Sequence, residues 1–290
     1  MPGSAKGSLQ GFAPTGARSF GGALVAINIS LRWSERPRPK TKVPRLVIEM
    51  NLYKYAAPAA FYPLAGKMIP WFAIPAALLF VAGLYVGFFI APTDFQQGDA
   101  YRIMFIHVPA AWMGMLLYVL MALYAAIGWA FNARLASMMA SSISITGALF
   151  TLISLVTGSL WGKPTWGTWW VWDARMTSTL ILLFLYIGFI SLQSAIDEPR
   201  RADRAGAVLA VVGVINVPII YFSVQWWNTL HQGATIRILN KPTIAPPMLA
   251  ALLIMLAACW MYSIAVVLVR VRCIILEREQ NAARVAAPAV

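Results

Sequence analysis

Cysteine and histidine are almost missing from this chain: it has two of each in 290 residues, Cys259 and Cys273, His107 and His231. No CxxC occurs, which excludes a thioredoxin-like dithiol and a CxxCH box for covalent attachment of a prosthetic group. Four such side chains at these spacings cannot build a structural zinc cluster. Charge is scarce as well, at 11% of residues, where a soluble domain carries about 25%. The sequence offers no P-loop, no nucleophile–base pair and no paired carboxylates inside its apolar stretches, so no bond-making chemistry is expected and an enzyme is not.

What is abundant is apolar surface. Hydrophobic residues make up 60% of the chain and the mean hydropathy is +0.70, which places it in a bilayer. The net charge of +13 does not imply nucleic acid, because the basic residues gather in the N-terminal stretch and in short loops, a pattern of membrane topology. The reading is therefore an all-α integral membrane protein. Six apolar segments, approximately 71–91, 109–131, 138–160, 176–196, 205–225 and 247–269, each approach the ~20 residues needed to cross a bilayer as a helix. Residues 1–49 are basic and rich in Gly, Ser and Pro, which is consistent with a disordered extension or with a start assigned too early. Residues 50–280 hold the six-helix domain, and 281–290 form a short tail.

Basic loop residues set the orientation. With the N-terminus inside, Lys54, Lys67, Arg134, Arg200, Arg201, Arg204, Arg270, Arg272, Arg278 and Arg284 are cytoplasmic; Arg102, Lys163, Arg175, Arg237 and Lys241 are outside. Ten against five places both termini in the cytoplasm. The outer side then receives both histidines and the loop between helices three and four.

That loop carries Trp161, Gly162, Trp166, Gly167, Trp169, Trp170, Trp172 and Asp173, with five tryptophans in twelve residues. Tryptophan is common at membrane interfaces, which accounts for Trp71, Trp129 and Trp260. It accounts poorly for this density. Indoles supply flat, polarisable faces with one donor each, and glycine lets a planar ligand approach the backbone. Such a shelf beside two imidazoles suits a porphyrin, whose iron takes axial nitrogen from histidine. His107 stands just before helix two, where Pro109 suits a first helical turn. His231 stands between helices five and six, after Trp226 and Trp227. Arg102, Arg175, Arg237 and Lys241 are cations on the correct side for propionates, or equally for lipid phosphates. Asp173 is placed to cap helix four.

The tryptophan segment, with six spans and one outer histidine on either side of it, resembles the WWD signature of the haem-handling membrane proteins, and within them the haem exporter C family of system I cytochrome c maturation. The resemblance covers roughly residues 50–280. It implies that His107 and His231 are axial ligands of haem b, held non-covalently and transiently. It implies too that Trp161 to Asp173 form the platform. The expected role is to present haem at the periplasmic face of the bacterial inner membrane to a periplasmic haem chaperone. The implied partners are ABC transporter subunits, a small membrane subunit and membrane lipids, with no nucleic acid. Larger relatives, the cytochrome c haem lyases, carry more helices and histidines, and the presence of only two histidines here argues against that role.

Two other classes compete. A secondary transporter would need polar or broken-helix features at mid-membrane, for which Asn216 and Pro218 are the candidates. An electron-transfer cytochrome b would bury its histidine pairs inside the helices, whereas both histidines here lie at helix ends.

Overall fold

The structure, a computed structural model, describes residues 56–231 and 244–286, with side chains through residue 280. The extension over 1–49 and the two cations Arg237 and Lys241 lie outside the described residues.

Helices account for nearly all of the described chain. α1 (Pro58–Tyr85) ends in a wider helical turn at Val86–Ile90. A tight turn of helix at Asp99–Ile103 leads into α2 (Met104–Phe131). α3 (Arg134–Trp166), α4 (Ala174–Ala195), α5 (Pro199–Gly213), α6 (Asn216–Trp226) and α7 (Pro246–Ala286) follow. They form six spans long and apolar enough to cross a membrane, α5 and α6 together making the fifth. Six crossings return the chain to the side it started from, so the described ends share one side and the α1–α2, α3–α4 and α6–α7 connections share the other.

Every span is longer than its apolar core. α1 starts at Pro58 instead of near 71 and keeps Pro63, Pro70 and Pro75 inside it. Each proline removes one backbone bond, but with no water to compete for the backbone the helix remains the favoured state. α7 continues through Ala286 without a break at residue 280.

The core is held by small residues set against large ones, as expected where lipid supplies no hydrophobic drive between helices. Gly147 on α3 faces the Tyr186 hydroxyl of α4, and that hydroxyl donates to the Gly114 carbonyl of α2 at 2.9 Å. Gly213 faces the Tyr118 hydroxyl. Tyr118, Met121, Tyr186 and Phe189 are fully buried at this centre, while Trp71, Val81, Phe89 and Trp129 face outward.

The fifth span breaks between Gly213 and Asn216. Pro218 has no N–H for the Val214 carbonyl, which instead accepts from Val217 at 3.0 Å. Asn216 donates its side-chain amide to the Ser178 carbonyl of α4 at 2.9 Å. Of the two residues that suggested a transport site, Asn216 therefore joins α6 to α4, and Pro218 marks the break in the span.

Candidate haem site

The site is built at the end of the bundle where α2 and α4 start and α3 and α6 stop. His107 lies in the first turn of α2. The helix starts there because of the Asp99–Ile103 turn, and not because of Pro109, which is one turn further in and fully buried. His107 packs on α3. A Cβ on Gly158 would come within 2.9 Å of its Cε1, so only glycine leaves room for the ring. Its Nδ1 is 3.1 Å from Thr157 Oγ1, and its ring meets Trp161 edge-on at 5.8 Å between centroids. Thr157, Gly158 and Trp161 share one face of α3 at three- and four-residue spacing.

The tryptophan segment divides in two. Trp161 to Trp166 extend α3 as helix, and only the remainder is loop, which corrects the expectation of a loop starting at 161. Gly167 ends the helix in the left-handed conformation, φ 78°, and its N–H bonds the Lys163 carbonyl at 3.1 Å. The chain then folds back over the helix. Ser159 donates to the Trp169 carbonyl at 2.7 Å, and Gly162 admits the Thr168 carbonyl, which stands 3.2 Å from where a Cβ would sit. Trp161 donates its indole N–H to Gln97 Oε1 of the α1–α2 connection at 2.7 Å. Trp170 and Trp172 pack edge-to-face at 5.4 Å, and Trp169 and Trp172 are more than half exposed. On the neighbouring α6 end, Phe222 stacks on Trp226, and Trp227 packs against that indole.

Asp173 caps α4: its Oδ1 accepts from the Met176 N–H at 2.8 Å. His231 reaches the same place from beyond α6. Its ring centroid is 5.0 Å from that of Trp166 and 6.5 Å from that of His107, with 36° between the imidazole planes. Burial and the charge of Arg175 lower the His231 pKa to about 4, which keeps the ring neutral and the lone pair of one ring nitrogen available. A metal held about 2 Å from one nitrogen of each of two imidazoles places their centroids roughly 6 Å apart. The observed separation fits that spacing, and neutral imidazole is the donor that haem iron takes.

Of the expected cations, Arg175 lines the cleft beneath both histidines, with Thr151, Ser154 and Met176; its nearest polar partner among the described residues is the Ile220 carbonyl at 3.4 Å. Arg102 turns toward α1. It pairs with Asp99 at 3.0 Å and donates to the Gly87 and Ala91 carbonyls at 2.7 and 3.1 Å, closing the end of that helix. Its guanidinium is thus largely engaged by protein groups. Thr157, Gly158 and Gln97 are the residues that sequence reasoning missed.

The fold and this end of it define a six-span, all-α membrane protein with a half-buried histidine pair beside a tryptophan ledge. The family model described as heme exporter protein C matches residues 51–286, and the chain belongs to that family. It is 46% identical over 231 residues to heme exporter protein C of Escherichia coli K12, covering 80% of this chain and 93% of that one. It is 43% identical over 230 residues to heme exporter protein C of Bradyrhizobium diazoefficiens, covering 79% and 87%. A putative cytochrome c biosynthesis ccmC-like mitochondrial protein of Marchantia polymorpha is 49% identical over 153 residues, 53% of this chain and 64% of the other.

Proposed function

We propose that the chain holds haem b at the outer face of the bacterial inner membrane and presents it to a periplasmic haem chaperone for cytochrome c maturation. The observation that carries this reading is the meeting of His107, from the first turn of α2, and His231, from beyond the end of α6, at 6.5 Å between ring centroids. Haem is the cargo, not a resident cofactor. His107 and His231 hold its iron from opposite faces. The indoles from Trp161 to Trp172 and the N-terminal end of α4 at Asp173 form the ledge against which its edge rests. Arg175, half-buried in the cleft beside the pair, faces the negative charge of a propionate or of a ligand drawn into the cleft.

The relatives, heme exporters and a putative cytochrome c biosynthesis protein by name, support the pathway. The basic-residue bias supports a periplasmic site with both termini in the cytoplasm. Trp169, Trp172, Trp226 and Trp227 are exposed indoles of the kind that anchor a protein partner. No residue here supplies energy for release, so that role falls to ATP-hydrolysing ABC transporter subunits, with a small membrane subunit completing the complex.

The test is complementation. In a bacterium deleted for its own relative, this chain should restore covalent haem in c-type cytochromes, read by haem staining, and His107→Ala or His231→Ala should not. Restoration by the double variant to the native level contradicts the reading.

A further inference from the structure

The two histidines are supported by different chemistry. Thr157 Oγ1 donates its one proton to the Ile153 carbonyl at 2.6 Å. Toward His107 Nδ1 it is therefore the acceptor, and the imidazole carries its proton on Nδ1 and keeps the Nε2 lone pair free. His107 is backed by a neutral oxygen. His231 has a carboxylate instead. Its Nδ1 is 3.9 Å from Asp173 Oδ2, and both atoms are buried with no hydrogen-bond partner among the described residues. Asp173 Oδ1 is already committed to the Met176 N–H, so Oδ2 is the oxygen left over. Two unpaired buried polar atoms so close are costly as they stand, and closing the gap to hydrogen-bond length removes both defects at once. Arg175 lines the cleft below both histidines and does not distinguish them.

We propose that Asp173 is a positioning residue for His231. When Nε2 of His231 binds iron, Oδ2 of Asp173 accepts the Nδ1 proton, fixes the tautomer and increases the ring's electron donation, as carboxylates do behind metal-bound histidines. His231 is then the stronger axial ligand. His107, backed by neutral oxygens, the Thr157 hydroxyl and the Ser154 backbone, and by no carboxylate, is the weaker one and the first to yield its place to an incoming ligand. The inference rests on the bis-histidine reading above and adds an order of release to it. The same carboxylate has two tasks, capping α4 with one oxygen and tuning a ligand with the other.

The experiment uses the full chain in detergent, loaded with haemin, comparing native protein with Asp173→Asn, Asp173→Ser and Thr157→Val. Asn and Ser both cap helices, so the helix start is kept while the carboxylate is lost. Haem affinity should fall 10–100-fold in both Asp173 variants, the range for loss of a supporting partner, and much less in Thr157→Val. Where haem remains bound, loss of the carboxylate should shift the ferric-to-ferrous balance about tenfold toward ferrous, about 59 mV for one electron, with a small shift in Thr157→Val. Equal effects in all three variants, or unchanged affinity and potential in both Asp173 variants, would overturn the proposal. A native protein that shows no six-coordinate haem at all would instead sink the bis-histidine reading beneath it.

Discussion

His107 and His231, the only two histidines of the chain, face each other with 6.5 Å between ring centroids, one on the first turn of α2 and the other beyond the end of α6. Neither reaches this position alone. Gly158 and Thr157 of α3 hold the first ring, and Trp166 and the Asp173 end of α4 border the second.

Gly158→Ala separates stability from binding. A helical Gly→Ala change by itself stabilises by about 1 kcal/mol. Here the new methyl stands 2.9 Å from the His107 ring, which Thr157 and Trp161 keep from moving away. The thermal midpoint in detergent should stay level or rise while haem affinity drops roughly tenfold, about 1.4 kcal/mol and within the range for overpacking. Unchanged affinity, measured by haemin titration, would show that the ring is free to shift.

Gln97→Leu removes the acceptor of the Trp161 indole N–H. The loss should cost about 1 kcal/mol and loosen the α1–α2 connection from the ledge. Hydrogen exchange should report faster labelling in residues 93–103 and 161–168, with the far end of the bundle unaffected.

Arg278 of α7 and Asp203 of α5 form a two-pronged ion pair, both bonds 2.8 Å, far from the histidines. Both side chains are mostly buried, so leaving either one alone is unfavourable. Arg278→Ala and Asp203→Ala should each destabilise by about 3 kcal/mol, the low end for a pair that keeps some exposure. The double variant should cost clearly less than the two together. Haem titration should be unchanged in all three.

The orientation is checked by single cysteines placed in a Cys259→Ser/Cys273→Ser background. A thiol at Lys163 should react with a membrane-impermeant maleimide added to spheroplasts, and one at Arg134 only after the membrane is opened. The reverse pattern would turn the site to the cytoplasm and remove the chaperone from the account.

The six spans and the shared side of the two histidines were legible in the sequence, because hydrophobic length and loop order fix which connections lie together. The meeting of His107 and His231 was not, since it depends on how far α2, α3, α4 and α6 approach one another, a matter of glycine against side chain at Gly114, Gly147 and Gly158. The tryptophan segment looked like loop because the third apolar run ends near residue 160. In the structure only Gly167 ends the helix; Gly162 serves close packing, and Pro164 is tolerated inside the last turn. Arg102 was placed on the correct side but not with its partner, because the free carbonyls at the end of α1 are invisible in a sequence. The i, i+4 relation of Thr157 to Trp161 on a face of small residues was the signal that could have pointed to the support of His107.

Haem ligation by the two histidines is read most plainly from the absorption spectrum of the purified protein, oxidised and reduced, beside the His107→Ala/His231→Ala double variant. The native protein should show a low-spin, six-coordinate haem signal, and a variant that still inserts and folds should lose it. An identical low-spin spectrum in both, or no haem in native protein made in haem-replete cells, would contradict it.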